Sequence, residues 1–151
     1  LGWNYRLTNM QAALGLAQLK KLDNFVKIKR TIGNTYLSHF KGLKEVQQPL
    51  KKLNYCENIY WVYGMLLKPK SKFKLEEVRK KLFKNGVETR NFFWPLNKQP
   101  ILNKMGYFIG QKFPVAEYLS KNGFYIPTGL ALTKNQQKHV IKKIKSILSY
   151  E

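Results

Sequence analysis

The first forty residues carry the longest helical pattern in the chain, and this pattern limits the fold more than any other feature. The stretch Thr8-Asn9-Met10-Gln11 has the form of a capping box, in which the Thr hydroxyl and the Gln side chain satisfy backbone amides at a helix start. Apolar residues then recur at helical spacing and shift phase once: Met10, Leu14 and Ala17, followed by Leu22, Phe25, Ile28, Ile32 and Tyr36. The pattern predicts one long helix, straight or bent, over residues 8–40.

The first half of this predicted helix is rich in small residues, namely Ala12, Ala13, Gly15 and Ala17. Small side chains let another surface come close to the helix axis, and glycine costs ~1 kcal/mol of helix propensity relative to alanine. We therefore expect close packing along this face. Two interpretations stay open, a face packed within the domain and an interface with another surface.

The remaining chain alternates between strand and helix patterns. The patterns predict a buried strand over Glu57–Leu67, a helix from Leu75 to Asn85, a short strand at residues 87–90, a helix over Pro114–Lys121, a short strand at residues 124–127, and a last helix after a second capping box, Thr133–Gln136. Between Asn91 and Gly110 we expect a long irregular loop, and its large aromatic residues favour a functional role. This order predicts an α+β fold, in which helices cover one side of a small mixed sheet.

The charge balance is strongly basic, with a net charge of +20 over 151 residues. Such a charge could attract nucleic acid or another polyanion. Only four of the 28 basic residues are arginine, however, and arginine is the residue preferred for base readout and bidentate phosphate binding. We interpret the lysines as a solvated surface and do not expect nucleic acid to be the partner. A stand-alone basic module that binds nucleic acid or another polyanion remains the alternative function.

Several classes of site and location are disfavoured by composition. Cys56 is the single cysteine, so no disulfide can form within the chain, and His39 and His139 do not form a cluster with metal-ligand spacing. No apolar run approaches the ~20 residues needed to span a bilayer, and the first residues do not resemble a signal peptide. We therefore expect no metal site, no membrane association and a cytoplasmic location.

Three segments carry a resemblance to a known family. Residues 2–19, GWNYRLTNMQAALGLAQL, are similar to the pattern G-x-N-x-R-[ML]-x-x-x-x-A-A-x-G-x-x-Q-L. Residues 85–100, NGVETRNFFWPLNKQP, are similar to G-x-x-T-R-x-x-x-x-P-x-H-x-Q-P, with Asn97 where histidine is common. Residues 113–140 are similar to a terminal segment in which a helix precedes a strand and a closing helix. Together they resemble the DegT/StrS family of pyridoxal-phosphate-dependent sugar aminotransferases along nearly the whole chain.

The resemblance implies both a fold and an activity. It implies the small C-terminal domain of a fold-type I pyridoxal-phosphate-dependent transferase at residues 41–151, with residues 1–40 as the helix that links it to a large cofactor-binding domain. The implied enzyme is a homodimer with shared active sites, and it moves an amino group from glutamate to a keto sugar linked to a nucleotide. In this family the lysine that binds the cofactor lies in the large domain. We therefore expect no catalytic residue in this chain, and no activity from it alone; a family member reduced to a scaffold or regulator is a further alternative.

The resemblance also implies roles for six residues. Asn4 would reach the cofactor phosphate of the neighbouring subunit. Arg6 would support the same loop or attract a diphosphate, with a structural ion pair as the alternative. The candidates for the wall that faces the sugar or its nucleotide are Arg90, Phe93, Trp94 and Asn97. Arginine suits anionic oxygens and aromatic rings suit stacking, although packing of the loop onto the core is the competing interpretation for the two aromatics.

Overall fold

A computed structural model describes residues 2–149 as six α-helices and six short strands with one 3-10 turn. In chain order these are α1 (Asn9–Leu19), α2 (Leu22–His39), β1 (Val46–Gln47), β2 (Lys52–Leu53), β3 (Cys56–Glu57), β4 (Tyr63–Leu67), α3 (Leu75–Lys84), β5 (Arg90–Asn91), the 3-10 turn (Leu96–Lys98), α4 (Pro100–Lys104), α5 (Pro114–Asn122), β6 (Gly123–Ile126) and α6 (Lys134–Leu148). The α+β class is confirmed.

The predicted long helix is present but broken into α1 and α2 at the position of the phase shift. The amide of Lys21 donates to the carbonyl of Gln18, three residues back, which tightens the last turn of α1 before α2 begins. Both predicted capping boxes form, and in each the Thr side chain accepts from the Gln amide while the Gln side chain accepts from the Thr amide. The two helices differ in burial, since α1 has no buried residue whereas α2 buries Ile32, Gly33 and Tyr36.

The main sheet has the strand order β1-β4-β6-β5, and every neighbouring pair is antiparallel. The expectation of a mixed sheet was therefore wrong. The crossover through α3 does return β5 parallel to β4, as helix-linked strands commonly run. The later strand β6 inserts between them, however, and runs against both, so no parallel pair is formed. A separate hairpin joins β2 to β3.

The strand predicted over Glu57–Leu67 is shorter than expected and begins at Tyr63. Glu57 belongs instead to the β2–β3 hairpin, and Tyr60 adopts a left-handed backbone conformation with φ 51°, which interrupts an extended run. The strand expected at residues 87–90 is limited to Arg90–Asn91. The loop expected between Asn91 and Gly110 contains the 3-10 turn and α4.

The core lies between the inner face of the sheet and α2, α3 and α6. Alternate residues of β4 point into it, and β6 contributes Phe124 and Ile126 in register with Met65 and Tyr63. The buried set also includes Ile32, Tyr36, Phe40, Val78, Leu82, Val140, Ile141, Ile144, Ile147 and Leu148. Helix α6 is tied to α2 by the buried amide of Gln137, which donates to the Ile32 carbonyl at 2.9 Å. Helices therefore cover the inner face of the sheet, as expected.

Aromatic rings dominate the contact between α2 and the sheet. The rings of Tyr36 and Tyr63 lie 5.1 Å apart, and Phe40 packs on both. Burial raises the pKa of both tyrosines, so their hydroxyls stay protonated; Tyr36 donates to the Pro127 carbonyl at 2.8 Å and Tyr63 to Gln48 Oε1 at 2.6 Å. These bonds satisfy the polar ends of two buried rings.

Among residues 2–149 there is no helix that combines the length and the apolar character needed to cross a membrane.

The close approach of Tyr60 to α2 generates a stability prediction. The ring of Tyr60 lies directly against Gly33, where an added Cβ would overlap it, whereas the space around Gly15 is open. We expect Gly33→Ala to destabilise this chain by about 1–3 kcal/mol through overpacking. Gly15→Ala is the matched control, and it should leave the thermal unfolding midpoint unchanged or slightly raised. Equal midpoints for the two variants would contradict the packing of Tyr60 on α2.

Candidate functional site

The outer face of the sheet has little side-chain cover from its own strands. Gly64 of β4 and Gly123 of β6 lie on this face, and the ring of Phe92 occupies the space that a Cβ at either position would fill. The amide of Phe92 also donates to the Gly123 carbonyl at 3.1 Å. Phe92 is thereby fixed on the sheet, and the chain that follows it begins at a defined place.

A stack of three aromatic rings stands next to Phe92. The rings of Trp61 and Phe93 are nearly parallel, with an interplanar angle of 8° and centroids 5.9 Å apart. Phe93 in turn stacks on Tyr125 of β6 at 6.2 Å. Trp61 and Phe93 are nevertheless 67% and 63% exposed, so the stack presents broad aromatic surface to the outside. Exposed, pre-stacked rings are suited to a flat ligand.

Arg90 lies in the groove beside this stack. It pairs with Tyr125 across the β5–β6 ladder, and paired residues project from the same face, so Arg90 is on the outer face. The groove is lined by Val62, Glu88, Thr89, Arg90, Tyr125, Ile126, Pro127 and Thr128. The carboxylate of Glu88 lies 3.9 Å from Arg90 Nε, and both side chains are mostly exposed. A solvated ion pair at this distance is weak, so the Arg90 guanidinium can release Glu88 and bind an anion that interacts more strongly.

Lys29 of α2 supports the groove from beneath. Its ammonium donates to the Trp61 carbonyl at 2.9 Å and to the Thr128 carbonyl at 2.6 Å. Burial lowers the pKa of Lys29. One side chain thus joins the segment that carries the outer ring of the stack to the segment that follows β6.

Trp94 lines a different cleft, between α3, α5 and the loop, and Asn97 bonds to Glu117, which lines the same cleft. The indole of Trp94 donates to the Lys98 carbonyl at 2.8 Å, and the amide of Asn97 donates to Glu117 Oε1 at 3.2 Å. Lys98 pairs with the same carboxylate at 3.4 Å. Trp94 lines this cleft together with residues of α3 and α5. The structure therefore brings Phe93 next to the Arg90 groove and places Trp94 and Asn97 apart from it.

Asn4 and Arg6 contact each other ahead of α1. Asn4 Oδ1 accepts from the backbone amide of Arg6 at 3.2 Å and from its Nε at 3.0 Å. Both residues are exposed. Because the amide oxygen is used by Arg6, the Asn4 side chain presents its NH₂ group outward as a hydrogen-bond donor.

Two residues of the stack, Trp61 and Tyr125, and the supporting Lys29 were missed by sequence reasoning. Trp61 falls within the strand that the sequence predicts over Glu57–Leu67, although it lies in a bend directly ahead of β4. The sequence indication would have been the length of the aromatic run around Trp61, which exceeds the length of one short strand. Nothing in the sequence around Lys29 distinguishes it from the neighbouring lysines.

Residues 2–149 contain no group of three or more His, Cys, Asp and Glu side chains placed to hold a metal ion. His139 contacts the Asn85 carbonyl at the end of α3, and Cys56 is exposed in the β2–β3 hairpin.

Comparison with solved structures finds the same fold in parts of longer chains. The chain superposes on an aminotransferase of Helicobacter pylori involved in the biosynthesis of pseudoaminic acid with a TM-score of 0.84, at 21% identity, covering 99% of this chain and 39% of that one. A sugar aminotransferase of Micromonospora echinospora gives a TM-score of 0.80 at 20% identity, covering 96% of this chain and 37% of that one. At this identity the likeness concerns the fold, and it agrees with the fold expected from the sequence.

Sequence comparison extends the likeness to curated proteins. The chain is 32% identical to the GDP-perosamine synthase of Escherichia coli O157:H7 over 149 residues, which is 99% of this chain and 38% of the relative. It is 30% identical to the GDP-perosamine synthase of Vibrio cholerae, covering 97% of this chain and 39% of that protein. The chain thus spans less than two fifths of the length of these relatives. Residues 1–145 match the model of one family, and the chain belongs to that family, the DegT/DnrJ/EryC1/StrS aminotransferases.

Proposed function

We propose that this chain is the C-terminal part of a pyridoxal-phosphate-dependent aminotransferase that transfers an amino group from glutamate to a keto sugar linked to a nucleotide. The observation that carries the proposal is the family match over residues 1–145. The relatives named GDP-perosamine synthase favour a GDP-linked sugar as the acceptor. Residues 1–40 would link the small domain, residues 41–151, to a large domain that supplies the catalytic lysine.

The groove on the outer face of the sheet fits the nucleotide part of such a substrate. Trp61 and Phe93 offer aromatic surface on which a base can stack, and Arg90 offers a guanidinium for diphosphate oxygens. Within this proposal, Trp94 and Asn97 contribute by shaping the loop, since their polar groups bond to Lys98 and Glu117. Phe93 thus gains a binding role, whereas Trp94 keeps a packing role.

The donor at Asn4 fits the phosphate of pyridoxal phosphate. Arg6 holds the amide oxygen, so the NH₂ group faces outward, and the guanidinium adds positive charge next to it. A phosphate group readily accepts hydrogen bonds from such donors. When bound, the cofactor would supply the electron sink for amino-group transfer, while Asn4 would orient its phosphate.

The exposed helix α1 fits a shared interface in a homodimer. Met10, Leu14, Leu16 and Leu19 are 80%, 68%, 54% and 63% exposed, and all of α1 lacks contact with a core. Apolar surface of this extent marks an interaction site. We propose that the rest of the enzyme and its partner subunit cover it, which would bring Asn4 to the neighbouring active site.

The unpaired Cys56 fits a cytoplasmic enzyme.

The half-reaction with glutamate tests the proposed activity. The complete protein, purified with pyridoxal phosphate, should show the visible absorbance of the bound cofactor. L-Glutamate should replace this band by one in the near ultraviolet, because taking up the amino group shortens the conjugated system of the cofactor. D-Glutamate is the control and should have no effect. A folded protein with no visible band, or with one that L-glutamate leaves unchanged, would overturn the proposed activity.

Removal of the Asn4 donor tests the cofactor contact. Asn4→Ala in the complete protein should weaken cofactor binding by roughly tenfold or more, since a hydrogen bond to a charged group contributes about 1.5–3 kcal/mol. The affinity can be measured from the visible absorbance during titration with pyridoxal phosphate. The matched control is Asn135→Ala, an exposed position on α6, which should bind normally. Unchanged affinity in Asn4→Ala would remove Asn4 from the cofactor site.

Truncation of the aromatic stack tests the nucleotide groove. Trp61→Ala and Phe93→Ala should each weaken GDP binding to the complete protein, because stacking on a base contributes about 1–3 kcal/mol. Isothermal titration calorimetry with GDP gives the dissociation constant. Phe83→Ala, which removes a similarly exposed ring from α3, is the control and should leave the dissociation constant unchanged. Normal GDP binding by both stack variants would place the nucleotide elsewhere.

A further inference from the structure

Arg79 of α3 makes three hydrogen bonds to the two residues that flank Arg90. Its Nε donates to Thr89 Oγ1 at 3.2 Å, its Nη2 to the Thr89 carbonyl at 3.1 Å, and its Nη1 to Asn91 Oδ1 at 2.6 Å. Thr89 is buried, so its hydroxyl and carbonyl have little access to water. A single guanidinium thus holds the chain immediately before and immediately after Arg90.

The register of the sheet gives this contact a directional consequence. Asn91 pairs with Phe124, which points into the core, and Arg90 pairs with Tyr125, which points to the outer face. Because successive strand residues alternate in direction, the side chains of Thr89 and Asn91 face α3 while that of Arg90 faces outward, into the groove whose edge Thr89 also borders. If the two faces of β5 were exchanged, Arg90 would point toward the core side of the sheet, and uncharged side chains would face the groove.

Strand β5 itself supplies little to prevent such an exchange. It is two residues long and pairs with β6 at only two positions, at the edge of the sheet. A short edge strand is weakly specified by its ladder. Arg79 adds three further bonds from the opposite side, and the two to Thr89 Oγ1 and Asn91 Oδ1 depend on the orientation of the flanking side chains. On the outer face, the ring of Phe92 packed on Gly64 and Gly123 is the other contact near β5 that depends on side-chain orientation.

We infer that Arg79 is a positioning residue, which fixes β5 so that Arg90 faces the groove and binds the diphosphate of the nucleotide. This inference rests on the proposed role of the groove. Arg79 acts through Arg90 and does not itself touch the ligand. Its planar fork matters more than its charge, because a lysine ammonium cannot reach three acceptors that lie on two residues in this arrangement.

A double-mutant cycle with GDP binding to the complete, cofactor-loaded protein tests the inference. We expect Arg90→Gln to weaken GDP binding about tenfold or more, and Arg79→Lys to weaken it roughly three- to tenfold although the charge is kept. The double variant should bind no more weakly than Arg90→Gln alone, because Arg79 has nothing left to position. Lys80→Gln, an exposed neighbour on α3, is the control and should bind GDP normally.

Thr89→Val provides a second, milder route to the same test. It removes one acceptor of Arg79 while keeping the shape of the side chain, and it should weaken GDP binding about two- to fivefold in the presence of Arg90 and leave it unchanged in the Arg90→Gln background. Thermal unfolding of each variant shows whether the fold is retained. If Arg79→Lys unfolds the protein, Thr89→Val decides the question.

The outcomes distinguish this inference from the proposals on which it rests. Additive effects of Arg79→Lys and Arg90→Gln, or normal GDP binding by a folded Arg79→Lys or Thr89→Val variant, would overturn the positioning role while leaving the groove in place. Normal GDP binding by Arg90→Gln would overturn the role of the groove, and with it the positioning role. The wild-type response to L-glutamate tests the proposed activity separately from all of these.

Discussion

The packing of α2 against the inner face of the sheet is the interaction on which the rest of the structure depends. Tyr36 and Phe40 of α2 pack on Tyr63 of β4, and all three side chains are fully buried. Aromatic rings of this size contribute much of the buried apolar area in a small domain. The same helix also reaches past the core: Lys29 holds the carbonyls of Trp61 and Thr128, and Tyr36 holds that of Pro127. Helix α2 therefore both closes the core and supports the two segments that border the groove.

The packing on the outer face of the sheet depends instead on two positions that have no side chain. Glycine at positions 64 and 123 lets the ring of Phe92 lie directly on the backbone of the sheet. With Phe92 fixed there, Phe93 falls between Trp61 and Tyr125 and forms the stack. The candidate groove thus depends on backbone close approach at two glycines as much as on the aromatic residues that line it.

Helices α1 and α2 adjoin in sequence but differ in their physical surroundings. Helix α2 has an amphipathic pattern and buries one side in the core, whereas α1 is apolar and small-residue-rich without contacting it. A helix of 11 residues is only marginally stable on its own even when it is rich in alanine and leucine, so it needs packing partners. The break at Lys20–Lys21 thus separates a helix that belongs to the core from one whose apolar side chains are exposed in this chain.

By itself, the sequence determined the helical segments other than α4, the two Thr-x-x-Gln caps, the α+β class and the family, because periodicity, these caps and the G-x-N-x-R and T-R motifs are local signals. Only the tertiary structure decided that β6 inserts between β4 and β5, because strand neighbours are set by contacts distant in sequence. The same reason applies to the site. Phe93 and Trp94 are adjacent in the chain, yet one stacks on Trp61 and the other bonds to Lys98. The side chains that complete the groove, Lys29 and Tyr125, come from elements that no local pattern connects to Arg90.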